Sequence, residues 1–357
     1  MNMIEKITEL TCKLIQLNTD PKNKKELWVA LEIVKSELKE FEYKEFYVDW
    51  VSSILFYNHY PKSGIFSLLL NSHLDIIPAK QNQFIPIIEG NRIYWAWALD
   101  MKWWLASALH AFKFNAKNSA IPMGFQIVTD EETWGYKWTK HQIESWVLSD
   151  FVISTEPTNL DIVHKAKWVL QFEVVILWLT THSAYPWRWS NAIFLMMHFL
   201  QKFTQVYVNP EKDSWKTTYN FSEIISTQYG YNKVPDECRV KIDIRYTDKN
   251  FEKLENKIRS LLPKNSVMNI YAKEPCFYTN PSSPEIKNIA KIIQQYTQRI
   301  PKIYGAHGTS DARHFLKNAI EFWPEWGDIW WDQEFVEIKS LQIYYEILSQ
   351  IINNRNM

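Results

Sequence analysis

A chain of 357 residues exceeds what one hydrophobic core usually fills, which points to two domains of roughly 100 to 250 residues. Hydrophobic residues make up 46% and charged residues 22%, a balance that excludes a disordered chain. Forty basic side chains face forty acidic ones, so no net field attracts nucleic acid or anionic lipid.

In chain order, Ile4, Ile7, Leu10, Leu14 and Ile15 recur at helical spacing and predict an amphipathic helix over residues 3–17. Charges interrupt it too often for a signal peptide or a membrane span. Cys12, Cys238 and Cys276 are odd in number and far apart, which fits a reducing, cytoplasmic setting without disulfides. A second helix is expected over 23–40, followed by strands at 43–48 and 52–58. Residues 64–75, 122–132 and 150–158 each read as a buried strand ending in His or carboxylates, with a helix following the Trp103-Trp104 pair. Such strands, separated by helices, predict an α/β fold with a central mixed, largely parallel sheet and a site at the strands' carboxyl ends.

The texture changes near residue 166. Residues 168–186 alternate, 190–207 look helical, 237–246 alternate again and 250–262 look helical, predicting an inserted α+β, ferredoxin-like domain. Helices are then expected over 283–298 and 334–352. The organisation implied is a first domain of residues 1–165, an insert of 166–276, and completion of the first domain by 277–357.

The chain carries 18 Trp and only 8 Gly, whereas about 25 Gly are expected for this length; the two counts together match that expectation. Trp103, Trp104, Trp134, Trp323 and Trp326 stand where a chain often needs glycine. They suggest a codon that the source reads as Gly, the alternative being a genuinely Trp-rich protein. Made literally, such a chain is expected to fold poorly, because a large ring replaces a residue chosen for positive φ and close approach.

The chemistry gathers in a few residues. His73 and Asp75 lie two apart, on one face of a strand. Asp100, Glu131, Glu132 and Glu156 follow in the next acid-bearing loops. Alone, a His-x-Asp pair or an acidic triplet is more often a solvated surface feature. An imidazole and several carboxylates converging at strand ends is costly unless a cation neutralises them, and zinc or a neighbouring transition metal suits that donor set.

In these motifs the chain resembles the zinc metallopeptidase family that includes acetylornithine deacetylase, succinyl-diaminopimelate desuccinylase, aminoacylase and glutamate carboxypeptidase. SHLDIIPA, YWAWALDMKWW, VTDEETWGYKWTK, EPT, HSAYPWRWSNAI and GTSDAR carry the likeness over nearly the whole chain. Trp95, Trp97, Trp103, Trp104, Trp134, Trp168, Trp178, Trp189 and Trp323 fall where the family commonly has Gly. The resemblance implies that His73 binds one zinc, Asp100 bridges two, Glu132 binds the second and Glu156 completes the first, with cobalt or manganese as substitutes. Asp75 would fix the His73 tautomer and Glu131 would be the general base. His182 would reach the neighbouring subunit's site in a homodimer formed through the insert. Asn232, Arg245 and the loop of Gly308, Thr309 and Ser310 would contact the substrate, an N-acyl amino acid or short peptide, although Arg245 could instead pair with Asp243.

The pattern breaks at one point. The family's last metal ligand, a histidine four residues before a glutamate, corresponds to Trp330, four before Glu334. Water, Asp328 or Asp332 could fill the position, the protein could run on one metal, or it could be a catalytically silent binding or assembly module. The expected activity is hydrolysis of an N-acyl amide or a terminal peptide bond.

Overall fold

The computed structural model describes residues 1–48, 51–94, 101–154, 156, 158–185, 187, 190–227, 230–247, 250–327 and 335–354. Asp100, Trp95, Trp97, Trp189, Asp328, Trp330, Asp332 and Glu334 lie outside the described residues.

Along the chain come α1 (Met3–Ile15), α2 (Lys24–Glu37), β1 (Glu42–Val48), β2 (Val51–Tyr57), β3 (Leu68–His73), α3 (Lys102–Asn115), β4 (Met123–Val128), α4 (Thr139–Glu144), β5 (Val152–Ser154) and β6 (Ile162–Ala166). The insert adds β7 (Trp168–Leu177), α5 (Ala192–Val206), β8 (Thr218–Ser226), β9 (Glu237–Tyr246), α6 (Phe251–Arg259) and β10 (Ser266–Glu274). The chain ends with α7 (Pro284–Thr297), β11 (Ile303–Ala306), α8 (Ala312–Phe315), β12 (Ala319–Glu321) and α9 (Ile338–Asn354). These form two compact units, one of residues 1–165, 277–304 and 310–357, the other of 166–276 and 305–309.

The first unit is built on an eight-stranded mixed sheet in the order β1-β2-β4-β3-β5-β12-β6-β11. Its centre is parallel: β3 pairs with β4 from Leu68↔Met123 to His73↔Val128, and with β5 from Leu69↔Val152 to Asn71↔Ser154. Every residue of β3 and β4 is buried, as expected for parallel strands covered on both faces. Helix α3 is buried from Lys102 to Phe112 and packs with α1 and α9. Asn2 starts α1 with a reciprocal capping box, its side chain accepting from Glu5 N and the Glu5 carboxylate accepting from Asn2 N.

In the second unit, strand order β8-β9-β7-β10 with chain order β-α-β-β-α-β gives the ferredoxin-like arrangement. Alternate residues Leu170, Phe172, Val174 and Ile176 of β7 meet Val240, Ile242 and Ile244 of β9 and Phe199, Phe203, Leu254 and Ile258 of the helices in one core. Strands β8 and β10, which periodicity did not mark, are the sheet's two edges. Strand β8 has no buried residue, and the buried positions of β10, Met268, Ala272 and Glu274, include a small and a charged residue, so neither stands out as an apolar pattern.

Two boundaries differ from expectation. Helix α3 begins at Lys102 and takes in Trp103 and Trp104, whose side chains are fully buried. Trp103 packs edge-on against Trp323 at 5.2 Å between ring centroids, and Trp104 donates its indole N–H to the Phe322 carbonyl at 3.0 Å. The last helix begins at Ile338, because Phe335–Glu337 pairs antiparallel with residues 92–94. Trp134 and Trp146 adopt φ of +80° and +68°, the left-handed region that favours glycine. Trp134 was among the glycine-like positions read from the sequence; Trp146 was not.

Candidate active site

The register of β4, β3 and β5 sets three strand ends side by side, roughly 5 Å between neighbours, with His73 closing the middle strand. Beyond β4 lies a short 3-10 turn, Glu131–Thr133; beyond β5 lies half-buried Glu156. Glu131 and Glu132 are likewise half-buried, so each of the two strands flanking His73 is followed by a half-buried carboxylate.

His73 and Asp75 are buried, at 1% and 0% exposure. His73 Nδ1 lies 3.0 Å from the Asp75 backbone carbonyl and 3.5 Å from its carboxylate. A carbonyl can only accept, so Nδ1 carries the proton and Nε2 the lone pair, the tautomer a metal ligand needs. The nearer partner is thus the Asp75 main chain, not the side chain assigned to this task from the sequence. The Asp75 carboxylate instead accepts the backbone N–H of Glu131 at 3.2 Å and of Glu132 at 2.9 Å. It tethers the acidic turn to the histidine strand.

Beneath the strand ends runs a buried polar row. Ser154 donates to Asn71 Oδ1 at 2.7 Å, and Asn71 Nδ2 donates to Gln126 at 2.9 Å and to Thr139 at 3.3 Å. These bonds cross β5, β3 and β4 and reach α4, resisting a register slip that would reverse every side chain. Asp130, at the base of the acidic turn, is pushed up to about 8 by burial and by the nearby Asp311 carboxylate. Lys102, at the start of α3, donates to the Leu17 carbonyl at 2.6 Å, and burial pulls it down to about 7.

Among the described residues no group of three or more His, Cys, Asp and Glu side chains is arranged to hold a metal ion. Asp100, expected to bridge two ions, lies outside them. The donor types, the His73 tautomer and the neighbouring strand ends suit a divalent cation.

The second unit brings together His182 and Asn232, 50 residues apart in sequence: their side chains lie 3.4 Å apart, beside a β-bridge between His182 and Lys233. His182 Nδ1 accepts from Ala184 N at 3.1 Å, and Nε2 is the ring atom that faces the Asn232 amide nitrogen. Both residues are exposed. Arg245 forks onto Asp243 at 2.8 and 3.2 Å, which is the structural pairing left open by the sequence. Gly308 is exposed, and the buried Thr309 hydroxyl makes no hydrogen bond among the described residues.

Ser310 departs from its expected role. It is fully buried and donates to Glu321 at 2.6 Å, so its hydroxyl serves the interior rather than a substrate. Glu321 is pushed up to about 8 by burial. Sequence reasoning also passed over Asp311, Arg313 and His314, although the first two lie within the GTSDAR motif it singled out.

Residues 167–267 match a family profile described as a peptidase dimerisation domain. The chain is 27% identical to a succinyl-diaminopimelate desuccinylase of Nautilia profundicola over 310 residues, 82% of this chain and 84% of that one. It shares its fold with an aminopeptidase PepT from Bacillus cereus (TM-score 0.81, 17% identity, 99% of both chains). It also shares it with an M20 family metallo-carboxypeptidase from Sulfolobus solfataricus (TM-score 0.80, 14% identity, 99% of both chains).

Proposed function

We propose a specific reaction for this chain, which belongs to the M20 family of metallopeptidases and is a metal-dependent hydrolase of amide or peptide bonds. The reaction is hydrolysis of the N-acyl amide of an amino acid, on the desuccinylase side of the family, with N-succinyl substrates preferred. The observation that carries the reading is the acidic turn tethered by Asp75 beside a His73 whose tautomer is fixed by the Asp75 carbonyl.

His73, Asp100, Glu132 and Glu156 would hold zinc. Two ions follow the family pattern; one is the smaller possibility, given Trp330 in place of the last histidine. When bound, zinc supplies Lewis acidity, acidifying water and polarising the amide carbonyl. Glu131 takes a proton from the attacking water and delivers it to the leaving nitrogen as the C–N bond breaks. The products are a carboxylic acid and an amino acid. His182 donates to the developing oxyanion.

A homodimer formed through the insert supports that role for His182, which would serve the partner subunit's site. Phe194 and Met197 on α5 are 61% and 60% exposed, and Ile224 and Ile225 on edge strand β8 are 55% and 51% exposed. Phe194 and Met197, three residues apart on one side of α5, mark an association face. Three free cysteines support a reducing, cytoplasmic location. Among the described residues no helix is long and apolar enough to cross a membrane.

The test is turnover of N-succinyl and N-acetyl amino acids and dipeptides by purified protein, with and without chelator, alongside metal analysis. Turnover lost on chelation and regained with zinc supports the reading. Metal-free protein that stays inactive on every substrate after zinc addition overturns it.

A further inference from the structure

We infer that Asp311, Arg313 and His314 are positioning residues that hold the acidic turn carrying Glu131 and Glu132. The inference deepens the reading above and rests on Glu131 being the general base.

The turn is gripped at two ends. At its start, the Asp75 carboxylate takes the N–H groups of Glu131 and Glu132. At its end, Trp134 and Gly135 are both left-handed, with φ of +80° and +57°, and the Asp130 carbonyl accepts from Gly135 N at 2.7 Å and Thr133 N at 3.1 Å. The Trp134 carbonyl accepts from Arg313 Nη2 and, at 3.2 Å, from His314 Nε2. Both donors are buried, with side-chain exposures of 1% and 5%.

Asp311 places its negative charge beside the pair. Its Oδ1 lies 3.7 Å from Arg313 Nη1 and 3.7 Å from His314 Nε2, while its Oδ2 accepts from the Thr139 hydroxyl. The backbone approaches this carboxylate so closely that a Cβ on Gly135 would sit 2.1 Å from Asp311 Oδ1. Glycine at 135 is therefore required both by φ and by space. Two buried donors meeting one main-chain oxygen fix the end of the turn, because losing either leaves a buried polar group short of a partner. The side chains of Glu131 and Glu132 lie between the two grips, so their direction depends on both. None of this depends on the side chain at 134, since the clamp binds its carbonyl.

The experiment compares His314→Ala, which removes one donor, with His314→Gln, which keeps an amide donor. Single-turnover hydrolysis of an N-succinyl amino acid and hydrogen exchange of the 130–135 amides are both read on the zinc-loaded full chain. In His314→Ala, kcat should fall on the order of 10- to 100-fold with KM little changed. The Glu131–Gly135 amides should exchange at least about tenfold faster, and His314→Gln should restore most of both. A folded His314→Ala protein with wild-type kcat and wild-type exchange overturns the inference. Should that variant fail to fold, Arg313→Lys, which keeps the charge but loses the fork, is held to the same two readouts. If the unmodified chain turns over no substrate, the proposed reaction fails, and exchange in the 130–135 segment alone decides the clamp.

Discussion

The acidic turn of the first unit and the histidine loop of the second are held in opposite ways. Glu131 and Glu132 sit on a turn held by buried Asp75 at one end and by buried Arg313 and His314 at the other. His182 and Asn232 lie exposed, joined by one 3.4 Å contact and one bridge to Lys233. If Glu131 is the general base proposed above, the difference teaches that proton transfer is served by a carboxylate whose direction is fixed beforehand. A donor proposed to serve the partner subunit is left accessible.

The strongest way to break this comparison is Glu131→Gln. If the gripped turn holds the general base, turnover should fall by about 100- to 10,000-fold while zinc content, measured by elemental analysis, stays unchanged. On the exposed side, His182→Ala should lower kcat by about 100- to 1,000-fold. Phe194→Glu combined with Met197→Glu should do the same by yielding monomers in sedimentation. A fully active monomer would show that the exposed loop has no part in the reaction.

A smaller effect sharpens the contrast, because a strongly shifted carboxyl belongs to the gripped unit. Folding raises Glu321 from its ordinary value of 4.5 to about 8, so the folded state keeps a proton that the unfolded state releases between those values. Its contribution to stability is complete below the lower value and declines as pH rises toward about 8. Thermal melts of Glu321→Gln across that window should show a flatter pH dependence than the wild type. A melt profile equal to wild type would remove Glu321 as a source of the dependence.

The smallest effect concerns backbone strain. Trp146 is 74% exposed at φ of +68°, so Trp146→Gly should gain about 1 kcal/mol from relief of the left-handed conformation, read as a small rise in melting temperature. Peptide sequencing of native protein tests the related codon reading at Trp134 and Trp146. Indole found at both positions would show that the chain tolerates the strain.

Much of the strand-edge architecture was legible because it is local. The apolar runs ending at His73, near Glu131 and before Glu156 announced buried strands, and the alternation of 168–177 and 237–246 announced the core strands of the insert. The edge strands 218–226 and 266–274 were not announced, since the first buries no residue and the inward positions of the second include Ala272 and Glu274. Ser310 read as a substrate contact because its loop resembles the family's substrate loop. Only the fold shows that its hydroxyl is already donated to Glu321.

What the sequence determined by itself was the kind of chemistry: an imidazole and carboxylates placed after apolar runs, so that any sheet built from those runs presents them at one edge. What only the tertiary structure decided was how they are held. The Trp134 carbonyl finds its donors in Arg313 and His314, 179 and 180 residues later, and the Asp75 carboxylate finds main-chain amides 56 and 57 residues away. Main-chain donors and acceptors are the same at every non-proline residue, so such a partnership leaves no mark on composition, periodicity or spacing. It exists only once the strands are in register and the last segment has packed against the acidic turn.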